Sequence, residues 1–146
     1  MLLELENAVV NRLKALGIPA SAWSGDRDEL FKRPKYLPSA RTVIERLNFT
    51  RIDHPSYQVK ATLSIILFFR SLRDEASGAY PILRNILSAL SSKTLAGYIL
   101  RPQNLELLYH ESGEFAYRLS FDAEGMFIVP QEPEPVTVEI TVEDVS

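Results

Sequence analysis

The chain has 146 residues, of which 46% are hydrophobic and 24% charged, and this composition predicts one soluble globular domain. It contains no cysteine, which excludes disulfides, cysteine nucleophiles, thiolate metal sites and iron–sulfur clusters. The formal net charge of −3 argues against a dedicated duplex-DNA binder, because neutralising phosphates supplies most non-specific affinity. No run reaches the ~20 apolar residues of a membrane span. Glu4 and Glu6 interrupt the apolar start, so we expect no signal peptide.

Residues 1–16 are predicted to form an amphipathic helix. Apolar side chains recur there at spacings of three or four, which places them on one stripe: Leu2, Leu5, Val9, Leu13 and Leu16. Gly17 is positioned to adopt a left-handed cap, and Pro19 prevents the helix from continuing. We therefore expect a helix that packs against the core.

Residues 18–40 form a long segment without periodicity, in which basic and aromatic side chains alternate irregularly. These are Trp23, Arg27, Phe31, Lys32, Arg33, Lys35 and Tyr36. Structureless loops of this length are uncommon unless they are functional or disordered. Two interpretations stay open: a loop that contacts a partner or a nearby nucleic acid, or a surface loop whose aromatic side chains pack on the core. Under the first interpretation the candidate contact residues are Trp23, Phe31, Arg33 and Tyr36.

Two strands are predicted next, joined by a turn over residues 51–56. In the first, Val43, Leu47 and Phe49 are expected to share one face, with Glu45 as the exception. The second strand, residues 57–69, is apolar at every odd position, and the turn before it contains a proline that interrupts pairing.

The far end of the second strand is apolar on both faces, because Ile66 and Phe68 join the otherwise polar face. A strand with two apolar faces is covered on both sides. The second cover comes either from a helix of the same chain or from another subunit, so Ile66 and Phe68 are candidate interface residues.

A second helix is predicted over residues 76–92, followed by a connector over 93–102. Its apolar stripe is Ile82, Leu83, Ile86, Leu87 and Leu90. Residues 104–109 and 115–123 then alternate around a turn and predict a β-hairpin. The last strand is expected to continue through Met126 and Ile128, with Gly125 as a bulge.

The C-terminal residues 130–146, which we call the arm, differ from the domain formed by residues 1–129. Prolines and glutamates begin the arm, and alternating apolar residues follow: Val136, Val138, Ile140 and Val142. The arm holds five of the 19 acidic residues and no basic one, so residues 1–129 carry 14 acids against 16 bases, a formal charge of +2. We take the four apolar residues as candidate contacts that add a strand to a neighbouring subunit's sheet. A last strand of the chain's own sheet and a disordered tail are the alternatives.

These elements predict an α+β fold: a mainly antiparallel sheet of four to five strands with two main helices packed on it. No catalytic, metal or cofactor constellation accompanies them. His54 and His110 occupy predicted turns without further ligands at metal-binding spacing, no serine lies in a nucleophile elbow, and the glycines never cluster. We therefore expect no enzyme and no cofactor, although paired catalytic carboxylates can come from anywhere in a fold.

The stretch from the long strand into the second helix resembles the Mu-like prophage tail protein family, a domain of unknown function. It reads YQVKATLSIILFFRSLRDEASGAYPILRNILSAL, in which Gly78-Ala79-Tyr80-Pro81 open the apolar helix. The N-terminal LLELENAVVNRLKAL and the hairpin with Tyr117, Leu119 and Phe121 are also similar to that family. The resemblance covers roughly residues 1–16 and 57–128, and is least for 18–40 and the arm.

The resemblance implies a virion structural protein with a tail-terminator-like fold. Such a protein forms a ring, typically a hexamer, at the head-proximal end of a phage tail, where it stops tube or sheath polymerisation and joins the head connector or stopper. The implied partners are further copies of itself, the tube or sheath protein and the connector, with DNA touched only non-specifically in the lumen and no membrane. The implied location is the tail or neck of the virion, after synthesis in the bacterial host cytoplasm. The alternatives are another neck or tail-completion protein, or a small non-viral binding module.

Overall fold

The computed structural model describes residues 2–26, 30, 34, 37–75 and 77–130. Within these described residues, two helices and six strands follow one another. They are α1 (Leu2–Ala15), β1 (Ala20–Ala22), β2 (Ser39–Asp53), β3 (Ser56–Phe69), α2 (Ala79–Leu90), β4 (Thr94–Leu95), β5 (Tyr98–Glu111) and β6 (Glu114–Ile128). The α+β class is therefore as predicted. The arm beyond Pro130, including Val136, Val138, Ile140 and Val142, lies outside the described residues.

The strands form one sheet in the order β1-β2-β3-β6-β5-β4. The pairing of β1 with β2 is parallel, and the other four pairings are antiparallel. The prediction of four to five strands was too low, because β1 and β4 have only three and two residues. Neither short strand produces a detectable alternation in the sequence, and both exist because they pair with the end of a long strand.

The core lies on one face of the sheet, which we call the helix face. The odd-numbered residues of β3 from Val59 to Phe69 are buried there together with side chains of both helices. In α1 these are Leu5, Val9 and Leu13, and in α2 they are Ala79, Ile82, Leu83, Ile86 and Leu90. Since the predicted stripes supply most of these residues, the helical periodicities correctly located the core. Two residues of the α1 stripe are exceptions. Leu16 is 39% exposed, because it follows the last residue of α1, and Leu2, the first residue of α1, is only half-buried.

The chain ends α1 and begins α2 with backbone groups. Gly17 has a φ of +83°, in the left-handed region, and its N–H donates to the carbonyl of Lys14 at 2.9 Å. At α2, the N–H groups of Ala79 and Tyr80 donate to the carbonyls of Ser71 and Leu72 at 2.8 and 2.9 Å. The preceding loop therefore satisfies helix donors that a side-chain cap usually satisfies.

The sequence prediction for β2 was wrong about Val43. Ile44 pairs with Leu63 and Arg46 pairs with Thr62, so Glu45 is an extra residue in the ladder. Ile44 and Leu47 consequently lie on the helix face, whereas Val43 pairs with Ser64 on the opposite face. The prediction assumed that residues 43–49 alternate strictly between the two faces, and the extra residue Glu45 breaks this alternation.

The β5–β6 hairpin is longer than predicted, since β5 begins at Tyr98 and the turn consists of Ser112 and Gly113. Residues 126 and 128 continue β6 as expected. Gly125, however, is no bulge, because it pairs in unbroken register with Val59. The register shifts of this hairpin lie in β5, between Pro102 and Asn104 and between Leu107 and Tyr109.

Candidate interaction surfaces

The two histidines lie far apart along the chain, at the ends of long strands. His54 is exposed in the β2–β3 turn, and the exposed His110 ring stacks against Phe115 with centroids 5.8 Å apart. Among the described residues, no three histidine, aspartate or glutamate side chains come close enough to hold a metal ion. His54 therefore lies in a turn and His110 lies near the end of a strand, and the two do not share a site.

Burial raises the pKa of three side chains, Glu6, Tyr98 and Tyr117. The nearby Glu4 carboxylate adds to the effect on the pKa of Tyr98, and Tyr80 adds to that on the pKa of Tyr117. Desolvation is the main cause in each case, and it disfavours the charged form of a carboxyl or phenol. The shifts follow from packing around α1, α2 and the sheet.

Trp23 continues the β1–β2 pairing and is half-buried. Its backbone N–H donates to the carbonyl of Thr42 at 2.8 Å, and its indole Nε1 donates to the carbonyl of Asp26 at 2.7 Å. The indole thus holds the turn that follows β1. The other candidate contacts of this segment, Phe31, Arg33 and Tyr36, lie outside the described residues, so their role stays a prediction.

Ile66 and Phe68 are buried by the same chain, on the face opposite the helices. Together with Ala116 they form a second cluster, against which Leu30, Leu37, Leu108 and Tyr109 pack. The Arg41 guanidinium lies 4.9 Å from the centre of the Phe68 ring and donates to the Leu30 carbonyl at 3.2 Å. The second cover therefore includes the segment before β2, which is neither of the two sources considered from the sequence.

A groove between α2 and β5, here the α2–β5 groove, was not predicted. Its volume is about 440 Å³, and it is lined by Tyr80, Leu83, Arg84, Leu87, Ser88 and Leu105. Leu105 and the nearby Leu107 lie on the helix face but remain 44% and 49% exposed, because α2 does not cover this part of β5. The alternation of residues 104–109 was visible in the sequence, but the position of α2 above them was not.

The outer edge of β5 is open beside this groove. β4 pairs only with Tyr98 and Ile99, and Leu100 exchanges backbone hydrogen bonds with Ser92 and Lys93. No described strand pairs with the outer edge from Arg101 to Leu107, and all seven of these residues are exposed. A strand edge of this kind is a template for another strand.

A second groove, the α1–β2 groove, lies at the opposite edge of the sheet. Its volume is about 390 Å³, and its lining is Leu2, Glu6, Ile44, Glu45, Arg46 and Leu47. β1 pairs only with residues 40–42 of β2, so no described strand pairs with the outer edge of β2 beyond them. The two grooves differ in charge, since this one contains two glutamates and one arginine, whereas the α2–β5 groove contains Arg84 and no acid.

The sheet face opposite the helices is charged over its central part. Glu124 forms ion pairs with Arg101 and, at 3.9 Å, with Lys60. Arg118 lies 3.6 Å from a Glu45 oxygen and 3.7 Å from a Glu106 oxygen. These partly exposed pairs link β2, β3, β5 and β6 across the sheet, and each contributes little to stability because water screens it.

Neither described helix is long and apolar enough to cross a membrane. No protein-family model matches the sequence, and no curated protein matches it. The resemblance to Mu-like prophage tail proteins is therefore not confirmed by a family match.

A solved structure does share the fold. It is a chain of a structure described as the virion of a native gene transfer agent particle, and it aligns with a TM-score of 0.59 at 14% sequence identity. The alignment covers 86% of this chain and 97% of that chain. The likeness therefore extends over most of both chains, and at this identity it concerns the fold.

Proposed function

We propose that this chain is a structural protein of a phage or phage-like virion, and more narrowly a tail terminator. The observation that carries the proposal is the fold shared with a chain of a gene transfer agent virion, over 86% of this protein. The resemblance of residues 1–16 and 57–128 to Mu-like prophage tail proteins points to the same kind of particle. The proposed location is the tail or neck of the virion.

A ring is the assembly that the proposal requires, and the two edges of the sheet suit it. A cyclic ring joins different patches of successive copies. The open edges of β2 and β5 lie on opposite sides of the subunit, and each has a helix-lined groove beside it. A hexamer at the head-proximal end of the tail is our proposal for this ring, with the tube or sheath protein and the head connector as its other partners.

We further propose that the protein acts by assembly and catalyses no reaction. The sequence has no cysteine and no clustered glycines, and its two histidines occupy separate strand ends in the fold. Contact with DNA would be non-specific and confined to the lumen of the ring, where arginines on a sheet face meet phosphates without reading bases.

Electron microscopy of tails assembled without this protein tests the proposal. A tail terminator stops polymerisation, so its loss should produce over-long tubes that carry no heads. Restoring the wild-type chain should return tails to uniform length. Normal-length tails that fail to join heads would contradict termination and assign the protein to another step of neck or tail completion.

A further inference from the structure

We propose that the α2–β5 groove and the open edge of β5 together receive the C-terminal arm of a second copy of this chain. In this arrangement residues 136–142 add a strand beside Asn104–Leu107, and their apolar side chains cover Leu105 and Leu107. The inference rests on the proposed function in that it names one contact through which copies associate.

The first argument is the chemistry of the receiving surface. The edge offers exposed backbone groups, and the groove beside it is lined mainly by apolar side chains. A strand with alternating side chains fits such a surface, since its backbone pairs with the edge while every second side chain enters the groove. Val136, Val138, Ile140 and Val142 have this spacing.

The second argument is the length of pairing that β5 permits. Register shifts occur before Asn104 and after Leu107, so the regular part of the edge is the four residues between them. Bulges limit how far an added strand continues in register. Four consecutive residues of the segment 136–142 fill this regular part, so a short strand is sufficient.

Charge distinguishes this groove from its counterpart at the other edge. The arm contains five acidic residues and no basic one. The α2–β5 groove contains Arg84 without an acid, and Arg73 lies nearby with its guanidinium 5.5 Å from the centre of the Tyr80 ring. The one acid on the receiving edge, Glu106, faces the other side of the sheet, where it lies 3.7 Å from Arg118. The α1–β2 groove contains Glu6 and Glu45 against a single arginine, Arg46, so its net negative charge disfavours an acidic arm.

The length of the linker argues that the receiving edge belongs to another copy. Pro130 lies beyond the last residue of β6, at the end of the sheet where the Val129 N–H donates to the Pro55 carbonyl at 2.9 Å. Arg101 pairs with Asp122, eight residues before Pro130, which is about 26 Å along the strand. The six residues from 131 to 136 span at most about 21 Å. Val136 therefore cannot reach the start of the open edge in its own subunit, so a strand that begins at Val136 has to pair with the edge of another copy.

Cross-linking of full-length single-cysteine variants tests the proposal, since the wild-type chain has no cysteine. One partner carries Thr137→Cys, Glu139→Cys or Thr141→Cys in the arm, and the other, distinguishable by mass, carries Asn104→Cys on β5. Asn48→Cys on the open edge of β2 is the matched control, because both asparagines are exposed and lie on the same sheet face. After mild oxidation, we expect several-fold more mixed disulfide dimer with Asn104→Cys than with Asn48→Cys for at least one arm position.

Two further sets of variants test whether the contact is specific to the groove and whether it joins two copies. Leu107→Asp in the Asn104→Cys partner should reduce the mixed dimer several-fold, whereas Leu3→Asp, at a residue that is 67% exposed on α1, should not. Equal or greater cross-linking at Asn48 would overturn the inference. A disulfide within one chain of the double variant Asn104→Cys/Thr137→Cys would overturn the assignment to a second copy. The proposed function is tested separately, by measuring tail length with electron microscopy. If the protein controls tail length but no cross-link forms at Asn104, this inference is overturned and the proposed function is not.

Discussion

Gly125 and Tyr98 meet across the β5–β6 pairing at a distance that leaves no room for a methyl group. A Cβ built on Gly125 would lie 2.7 Å from Cδ2 of Tyr98. Tyr98 is itself only 3% exposed, so its ring cannot move into solvent without opening the core. The glycine is thus required by packing, because its place in the β3–β6 ladder is regular.

We expect Gly125→Ala to lower the free energy of unfolding by about 1–3 kcal/mol, because overpacking forces the ring or the backbone to shift. Urea denaturation measures the change. Met126→Ala, next in sequence and 58% exposed, is the control and should change stability by less than about 0.5 kcal/mol. The double variant Gly125→Ala/Tyr98→Leu should lose less than the sum of the single changes. Full additivity would show that the Tyr98 ring is not what the methyl group meets.

The hydroxyl of Tyr98 is buried and has no hydrogen-bond partner among the residues that the structure describes. Burial, aided by the Glu4 carboxylate, raises the pKa of this phenol above its usual value near 10. The folded state therefore holds the phenolic proton more tightly than the unfolded state. Ionisation of this phenol therefore leaves the free energy of unfolding unchanged below pH 10 and lowers it as the pH rises further, because the unfolded state loses the proton first.

Tyr98→Phe should accordingly leave the free energy of unfolding unchanged or raise it by about 1 kcal/mol at pH 7, because it removes an unsatisfied polar group. Above pH 10 the wild type should lose stability more steeply than the variant. Chemical denaturation at several pH values checks both statements, with Tyr57→Phe as the control. A destabilised variant at pH 7 would mean that the hydroxyl has a partner.

At the scale of elements, the buried face of a helix or strand could be predicted where its apolar spacing lies within that one element. Features that depend on how two elements pair or pack could not be predicted. The odd positions of β3 and the stripes of both helices identify the core because each pattern is complete within one element. Val43 was assigned to the wrong face because the Glu45 bulge is a property of two paired strands. The α2–β5 groove depends on where α2 lies relative to Leu105, about twenty residues later in the chain. No local sequence pattern predicts this position.

The bulge at Glu45 can be tested by deletion. Without Glu45, Ile44 and Arg46 become neighbours and the alternation from Ile44 through Leu47 is regular, so every core residue of β2 keeps its face. We expect the deletion variant to fold with a loss of less than about 2 kcal/mol, measured by thermal and urea unfolding. Deletion of Thr62 from β3 is the matched control. It reverses the faces of one half of a buried strand and should abolish folding. Equal damage from both deletions would contradict the assigned bulge.

At the scale of the whole molecule, the part of residues 2–130 that the structure describes contains a continuous sheet, both helices and two packed clusters. This arrangement favours the view that residues 1–129 form one domain and that the arm is an addition to it, although the extent of the domain stays a prediction. The same arrangement leaves Leu105 and Leu107 uncovered. The described residues thus have a packed core and two open sheet edges, on β2 and on β5.

Truncation after Pro130 tests whether the arm contributes to self-association and not to the stability of the domain. We expect the shortened chain to keep its free energy of unfolding within about 1 kcal/mol, because both helices and the sheet already supply a packed core before Pro130. Its self-association, measured by sedimentation over a range of concentrations, should weaken at least tenfold, since the truncation removes an interface segment. The full-length variant Val138→Asp should weaken association similarly while Thr137→Ser does not, because only the first places a charge among apolar contacts. A loss of several kcal/mol of monomer stability on truncation would instead assign residues 136–142 to the chain's own sheet.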